Sequence, residues 1–189
     1  MFDSGFGGLT LARATIALLP AEDIVYLGDT ARDPYGSRSP DEVTEYALQL
    51  GTQLVEADDV KVVVVACNTA TAAALHRLRD ALPVPVVGVI DPGVRATLQA
   101  TRSERVGVIG TVGTVASGAY EEAFGKIDPL VEVVSCACPG FVEFVERGEV
   151  DGPEVEILAE RLLAPVIGAG VDTLLLGCTH YPYLARVIG

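Results

Sequence analysis

The sequence predicts an α/β protein of two pseudo-symmetric parallel-sheet domains that face each other across an active site, and three observations carry that prediction. Short β-branched or apolar runs alternate with helical patterns along the whole chain, as in parallel α/β units. The segment Val63-Val64-Val65-Ala66-Cys67-Asn68-Thr69 is echoed by Leu174-Leu175-Leu176-Gly177-Cys178-Thr179-His180, each a strand, a small residue, a cysteine and polar residues that open a helix. A Gly/Ser/Thr-rich turn precedes each cysteine at a similar distance: Asp3-Ser4-Gly5-Phe6-Gly7-Gly8 in the first half and Gly110-Thr111-Val112-Gly113-Thr114 in the second. The boundary falls near Asp91-Pro92-Gly93, which gives domains 1–91 and 92–189, the second expected to be truncated at its C-terminal end. Each presents its cysteine at the carboxyl ends of its strands, where open α/β sheets bind ligands.

Taken in order, the pattern opens on Phe2-Asp3-Ser4-Gly5 directly after Met1, where a buried strand would have more residues in front. The first domain is therefore expected to lack part of its N-terminal strand. A helix over 8–19 and a strand over 23–27 follow. The clearest helix starts at Ser39: Ser39-Pro40-Asp41-Glu42 supplies an N-cap, a first-turn proline and a capping-box glutamate, and Val43, Tyr46, Leu50 and Leu54 continue at helical spacing. Strands are then expected over 61–66, 86–90, 105–109, 131–135 and 172–176, with helices over 70–82, 92–101, 114–124 and 153–169.

The 189 residues are half apolar, with a mean hydropathy of +0.41, enough for one sizeable core or two small ones. The longest apolar run, 62–67, is far below the roughly 20 residues of a membrane span, and Arg13 and Glu22 interrupt the segment where a signal sequence would lie. A cytoplasmic location follows as the expectation. With 26 acidic residues against 13 basic ones, the net charge of −13 repels phosphate backbones and anionic membranes, so neither nucleic acid nor a membrane is expected as primary ligand. Lys61, entering a predicted strand, and Lys126, in a predicted loop, are the only lysines. They leave little material for a pyridoxal phosphate Schiff base or a P-loop, so chemistry on an amino acid would proceed with no cofactor.

Cys67, Cys136, Cys138 and Cys178 read as thiols rather than a disulfide framework. No metal is expected, since neither His76 nor His180 stands at a zinc-site interval from Cys136-Ala-Cys138. Cys136 and Cys138 read as structural, and His76 as a solvated or packed residue of its helix. The turn Gly5-x-Gly7-Gly8 fits a dinucleotide fingerprint poorly, lacking the third spacing and the acidic residue beyond it.

Two cysteines on separate domains suit one chemistry in particular. Inverting a carbon acid needs a base on one face and an acid on the other, and a thiolate and thiol can exchange those roles with direction. A free thiol has a pKa of about 8.5, so the thiolate has to be favoured locally. A helix N-terminus after each cysteine is expected to supply a positive dipole end, with His180 beside Cys178 and Asp3 beside Cys67 as tuning neighbours. Alternatively, both cysteines are buried strand-end residues with no chemistry.

Four ordered motifs across the chain resemble the glutamate racemases of the aspartate/glutamate racemase family: Phe2-Asp3-Ser4-Gly5-x-Gly7-Gly8-Leu9, Gly28-Asp29-Thr30-Ala31-Arg32-x-Pro34-Tyr35-Gly36, Ala66-Cys67-Asn68-Thr69-Ala70 and Gly177-Cys178-Thr179-His180-Tyr181-Pro182. Cys138-Pro139-x-Phe141-Val142 leading to Glu146, and Val108-Ile109-Gly110-Thr111 leading to Thr114, also resemble that pattern. The resemblance implies that Cys67 serves the D-enantiomer and Cys178 the L-enantiomer, assisted by Asp3 and His180, with Glu146 a weaker candidate. It implies glutamate held by Asp3, Ser4, Tyr35, Gly36, Asn68, Thr69, Thr179 and His180, a product destined for bacterial peptidoglycan, and a homodimer as the common assembly. Family members begin a few residues earlier and continue for several elements after Cys178-Thr179-His180-Tyr181-Pro182, so the first domain is expected to be incomplete at both chain ends and to expose an apolar face.

Other readings stay open at this point. A racemase for a related amino acid differs at the position of His180, as the resemblance goes. An inactive fragment or a binding or regulatory protein of the same fold, such as a gyrase inhibitor, would keep the motifs without turnover. A thiol redox protein using Cys136 and Cys138 lacks the usual Cys-x-x-Cys at a helix start.

Overall fold

Residues 1–189 are described by a computed structural model, in which the alternating runs become seven strands in two all-parallel sheets. The chain divides into two units, Met1–Val89 and Ile90–Gly189.

In the first unit, β1 (Phe2–Asp3), β2 (Leu27–Gly28), β3 (Val63–Val65) and β4 (Val86–Gly88) lie in the order β2-β1-β3-β4. Phe2 pairs with both Leu27 and Val65, so β1 sits inside the sheet and Phe2 is fully buried. The helices are α1 (Leu9–Leu18), α2 (Pro40–Asp58) and α3 (Asn68–Ala81). The capping box of α2 forms in both directions: Ser39 Oγ accepts from Glu42 N–H at 3.3 Å and Glu42 Oε2 accepts from Ser39 N–H at 3.1 Å. Such a cap contributes about 1 kcal/mol. Val43, Ala47, Leu50 and Leu54 form its buried stripe against the core of Phe2, Val63, Val65, Ala74 and Leu78. By contrast α1 buries only Ala12 and leaves Leu9, Ile16 and Leu18 exposed.

The strand expected over 23–27 is displaced to Leu27–Gly28. The two residues of β1 offer ladder partners only to those positions, and Val25 lies exposed before them.

The second unit orders β5 (Arg105–Gly110), β6 (Glu132–Ala137) and β7 (Thr173–Gly177) as β6-β5-β7. Its helices are α4 (Ile90–Ala100), α5 (Val112–Ala116), α6 (Ala119–Ile127), α7 (Phe141–Glu146), α8 (Pro153–Gly168) and α9 (Ala185–Ile188). The single helix expected over 114–124 is two. Thr111 caps α5 by accepting from Thr114 N–H at 3.2 Å, and Gly118, at φ 66°, takes the left-handed conformation that ends one helix and starts the next. Lys126, expected in a loop, lies on α6 and pairs with Glu122 one turn earlier at 2.6 Å. Asp172 ties the entry of β7 to the end of α4, accepting from Thr101 Oγ1 at 2.6 Å and from the N–H groups of Arg102 and Ser103 at 2.7 and 2.8 Å.

The internal echo of the sequence is therefore topological. In each unit the strand leading into the small-residue turn (β1, β5) lies beside the strand that ends in the cysteine (β3, β7). No helix is long and apolar enough to cross a membrane.

Candidate active site

In the first unit the candidate residues Asp3, Ser4, Cys67, Asn68 and Thr69 lie where β1 and β3 end side by side. Asp3 is fully buried at the end of β1, and its Oδ2 accepts from the N–H groups of Gly5 at 3.2 Å and Gly8 at 3.0 Å. This is what the glycine turn does: its amides bind a carboxylate of the same chain. A Cβ on Gly8 would stand 2.8 Å from Asp3 Cβ and 3.0 Å from Ala66 Cβ, so only glycine lets α1 start this close to the strand ends.

Cys67 leaves β3 and is the N-cap of α3, which starts two residues earlier than the expected Ala70 because the Sγ itself accepts from Ala70 N–H at 3.4 Å. Ser4 also donates to Cys67, from both its hydroxyl and its N–H. Asn68 and Thr69 form the first turn of α3 and are buried beside it. The amide at the start of α3 does favour the thiolate, as expected, but it is outweighed. Burial, and next the charge of Asp3, push the Cys67 thiol up to about 12 against the opposing amide and Ser4 donors. Cys67 rests protonated.

Tyr35 and Gly36 lie in a 3-10 turn, Tyr35–Ser37, with Tyr35 almost fully buried. Its hydroxyl donates to the carboxylate of Asp29. Sequence reasoning singled out Tyr35 and passed over Asp29, although it stands in the same motif.

In the second unit Cys178, Thr179 and His180 follow β7 and are all buried. The α-helix expected to open here is instead a 3-10 turn, Tyr181–Leu184, before the four-residue α9, so no long helix aims its N-terminus at Cys178. A side chain takes that place: His180 Nδ1 lies 3.9 Å from Cys178 Sγ and 3.5 Å from Thr179 Oγ1. On the far side of the ring, Nε2 meets Glu146 Oε1 at 2.7 Å. An ionised carboxylate can only accept, so it holds the hydrogen on Nε2 and leaves the Nδ1 lone pair towards the thiol. Glu146 ends α7, a helix that the sequence pattern did not announce. Tyr181 anchors it, packing edge-on against Phe141 with ring centroids 5.4 Å apart and donating to Cys138 O at 3.2 Å. Tyr120, also missed, packs against the Cys178 strand: a Cβ on Gly177 would meet Tyr120 Cε2 at 3.0 Å and Ile109 O at 2.8 Å. Nothing in its helical apolar context distinguishes it from a core tyrosine.

Cys136 and Cys138 lie on and just after β6. Burial pushes both thiols up, Cys138 to about 12, which makes them poor nucleophiles. His76 is exposed on α3.

Residues 9–189 match the model of the Asp/Glu/hydantoin racemase family. The chain is 54% identical over 189 residues to a glutamate racemase from Geobacter metallireducens, an alignment that covers 100% of this chain and 70% of that one. A glutamate racemase isoform from Bacillus anthracis superposes with a TM-score of 0.94 at 45% identity, covering 99% of this chain and 70% of the other. The glutamate racemase from Francisella tularensis, solved in complex with D-glutamate, gives a TM-score of 0.93 at 39% identity with the same two coverages.

Proposed function

This chain belongs to the Asp/Glu/hydantoin racemase family and is an amino-acid racemase, and on that premise we propose that it interconverts L- and D-glutamate, without a cofactor, by proton transfer through Cys67 and Cys178. The observation that carries the mechanism is that each cysteine has its own proton partner: Asp3 beside Cys67, and His180 backed by Glu146 beside Cys178. The identity of the relatives supports glutamate as the substrate, and the D-glutamate formed would serve bacterial peptidoglycan.

The resting protonation suits one direction. Cys67 holds its proton, whereas the Nδ1 lone pair of His180 can accept the proton of Cys178 and leave a thiolate. That thiolate takes the α-proton of L-glutamate, and the Cys67 thiol delivers its own to the opposite face, giving D-glutamate. The reverse direction starts from a Cys67 thiolate, with Asp3 as the nearby acceptor. Asp3, Ser4, Tyr35, Gly36, Asn68, Thr69, Thr179 and His180 hold the substrate, whose carboxylates suit backbone N–H groups and small hydroxyl or amide side chains. Lysine chemistry has little support, since Lys61 and Lys126 are both well exposed and paired with Glu22 and Glu122.

Incubation of the purified chain with L-glutamate in D2O, without added cofactor, tests this reading. It predicts α-deuterium incorporation together with loss of optical rotation, and the absence of both overturns it.

A further inference from the structure

The stretch between β2 and α2 carries a buried charge that the proton-transfer scheme does not use. Asp29 is only 7% exposed, and its carboxylate accepts from the Tyr35 hydroxyl and pairs with Arg32 Nε at 2.6 Å. Its backbone reaches the other way, with Asp29 N–H donating to Asp3 O at 3.1 Å and Asp29 O accepting from Arg32 N–H at 3.1 Å. The Arg32 guanidinium in turn lies 4.2 Å above the ring of Tyr46 on α2, and the rings of Tyr46 and Tyr35 are 5.7 Å apart.

A buried carboxylate is costly unless it is paired and hydrogen-bonded, so this group has a definite task. We propose that Asp29 is a positioning residue for substrate binding: it locks the Tyr35 side chain to the segment that carries Asp3 and thereby fixes the backbone of Tyr35 and Gly36 where glutamate docks. This rests on the reading above that Tyr35 and Gly36 hold the substrate. Arg32 neutralises the buried charge and, through Tyr46, fastens the loop to α2. The Tyr35 phenol is raised above the usual tyrosine range, first by burial and next by its hydrogen bond to Asp29, which keeps it a donor at any working pH.

The test uses Asp29→Asn, which keeps the shape and removes the charge, and Arg32→Gln at the partly exposed end of the pair. Loss of a charge-assisted hydrogen bond should raise KM for both enantiomers about tenfold in Asp29→Asn, with a rise of about threefold in Arg32→Gln, while kcat stays near the wild-type value. With six tyrosines in the chain, 13C labelling at Cζ resolves Tyr35, assigned by its loss in Tyr35→Phe. Its resonance should move in Asp29→Asn, and its hydroxyl should titrate at lower pH than in the wild type. A fall in kcat at unchanged KM, or unchanged kinetics in both variants, overturns the positioning role. An unmoved resonance overturns the lock itself, whatever the kinetics. Absence of turnover in the wild-type chain would instead overturn the glutamate reading, and the resonance would still decide whether Asp29 holds Tyr35.

Discussion

His180 Nε2 and Glu146 Oε1 lie 2.7 Å apart, a contact made across 34 residues of sequence between the end of β7 and the end of α7. The carboxylate fixes both the ring orientation and the tautomer of a histidine that is 2% exposed.

Replacing His180 by Asn should lower kcat by about 100-fold, the usual scale for loss of a positioned acid or base, and Glu146→Gln should lower it by about tenfold. The two enantiomers are equal in free energy, so kcat/KM has to fall by the same factor in both directions for each variant. Initial rates from pure L- and pure D-glutamate check this. Wild-type rates in Glu146→Gln would show that the contact is only structural.

Cys67→Ser and Cys178→Ser should each abolish net racemisation while leaving the fold intact, as followed by circular dichroism and optical rotation. Full activity in either variant would sink the two-cysteine scheme. In the free protein Cys67 should react slowly with iodoacetamide near pH 8. Asp3→Asn should speed the reaction, because removing a neighbouring negative charge favours the thiolate.

The same thiol makes stability depend on alkaline pH. Its folded value of about 12 lies above the ordinary 9.0, so the folded chain retains a proton that the unfolded chain releases. Its contribution is intact below about pH 9 and is lost as pH rises through about 12. The urea midpoint should therefore fall between pH 8 and 10.5, and Cys67→Ala should fall less steeply. Parallel slopes for the two proteins would exclude Cys67 as a contributor.

Asp172 acts at the opposite end of the scale. Its carboxyl is held below the usual carboxylate range by the Thr101 hydroxyl and then by the Arg102 and Ser103 amides. That contribution is present above the ordinary value of 3.8 and is lost as pH falls through the depressed folded value. Asp172→Ala should lower Tm by a few degrees at pH 7 and by less near pH 3. A Tm difference that is constant with pH would contradict this.

Gly28→Ala should cost about 2–3 kcal/mol, the scale of an overpacked interior, since its Cβ would stand 2.4 Å from Gly5 O, a backbone atom held in the Asp3 turn. A shift of the urea midpoint measures it. An unchanged midpoint would mean that the turn can move, contrary to the tight packing at its start.

What the sequence settled by itself rests on local chemistry and periodicity. The capping box set the start of α2, the β-branched or apolar runs identified β3 to β7, and the repeated strand-to-cysteine pattern exposed two equivalent units. Cys67, Asp3, Cys178 and His180 stood out as candidates for the same reason, being carried on short motifs that the structure places at strand ends.

Only the tertiary structure decided how those groups are poised. A helix terminus was expected to favour the Cys67 thiolate, yet burial outweighs it, and burial is a property of everything packed around the residue rather than of its neighbours in sequence. Cys178 receives its partner from a histidine ring held by Glu146 on α7, where no periodic signal marked a helix. Asp29 looked like one more motif residue until the fold enclosed its carboxylate with Tyr35 and Arg32. In each case the deciding energy is desolvation set against long-range hydrogen bonds, and neither is fixed until the chain has folded.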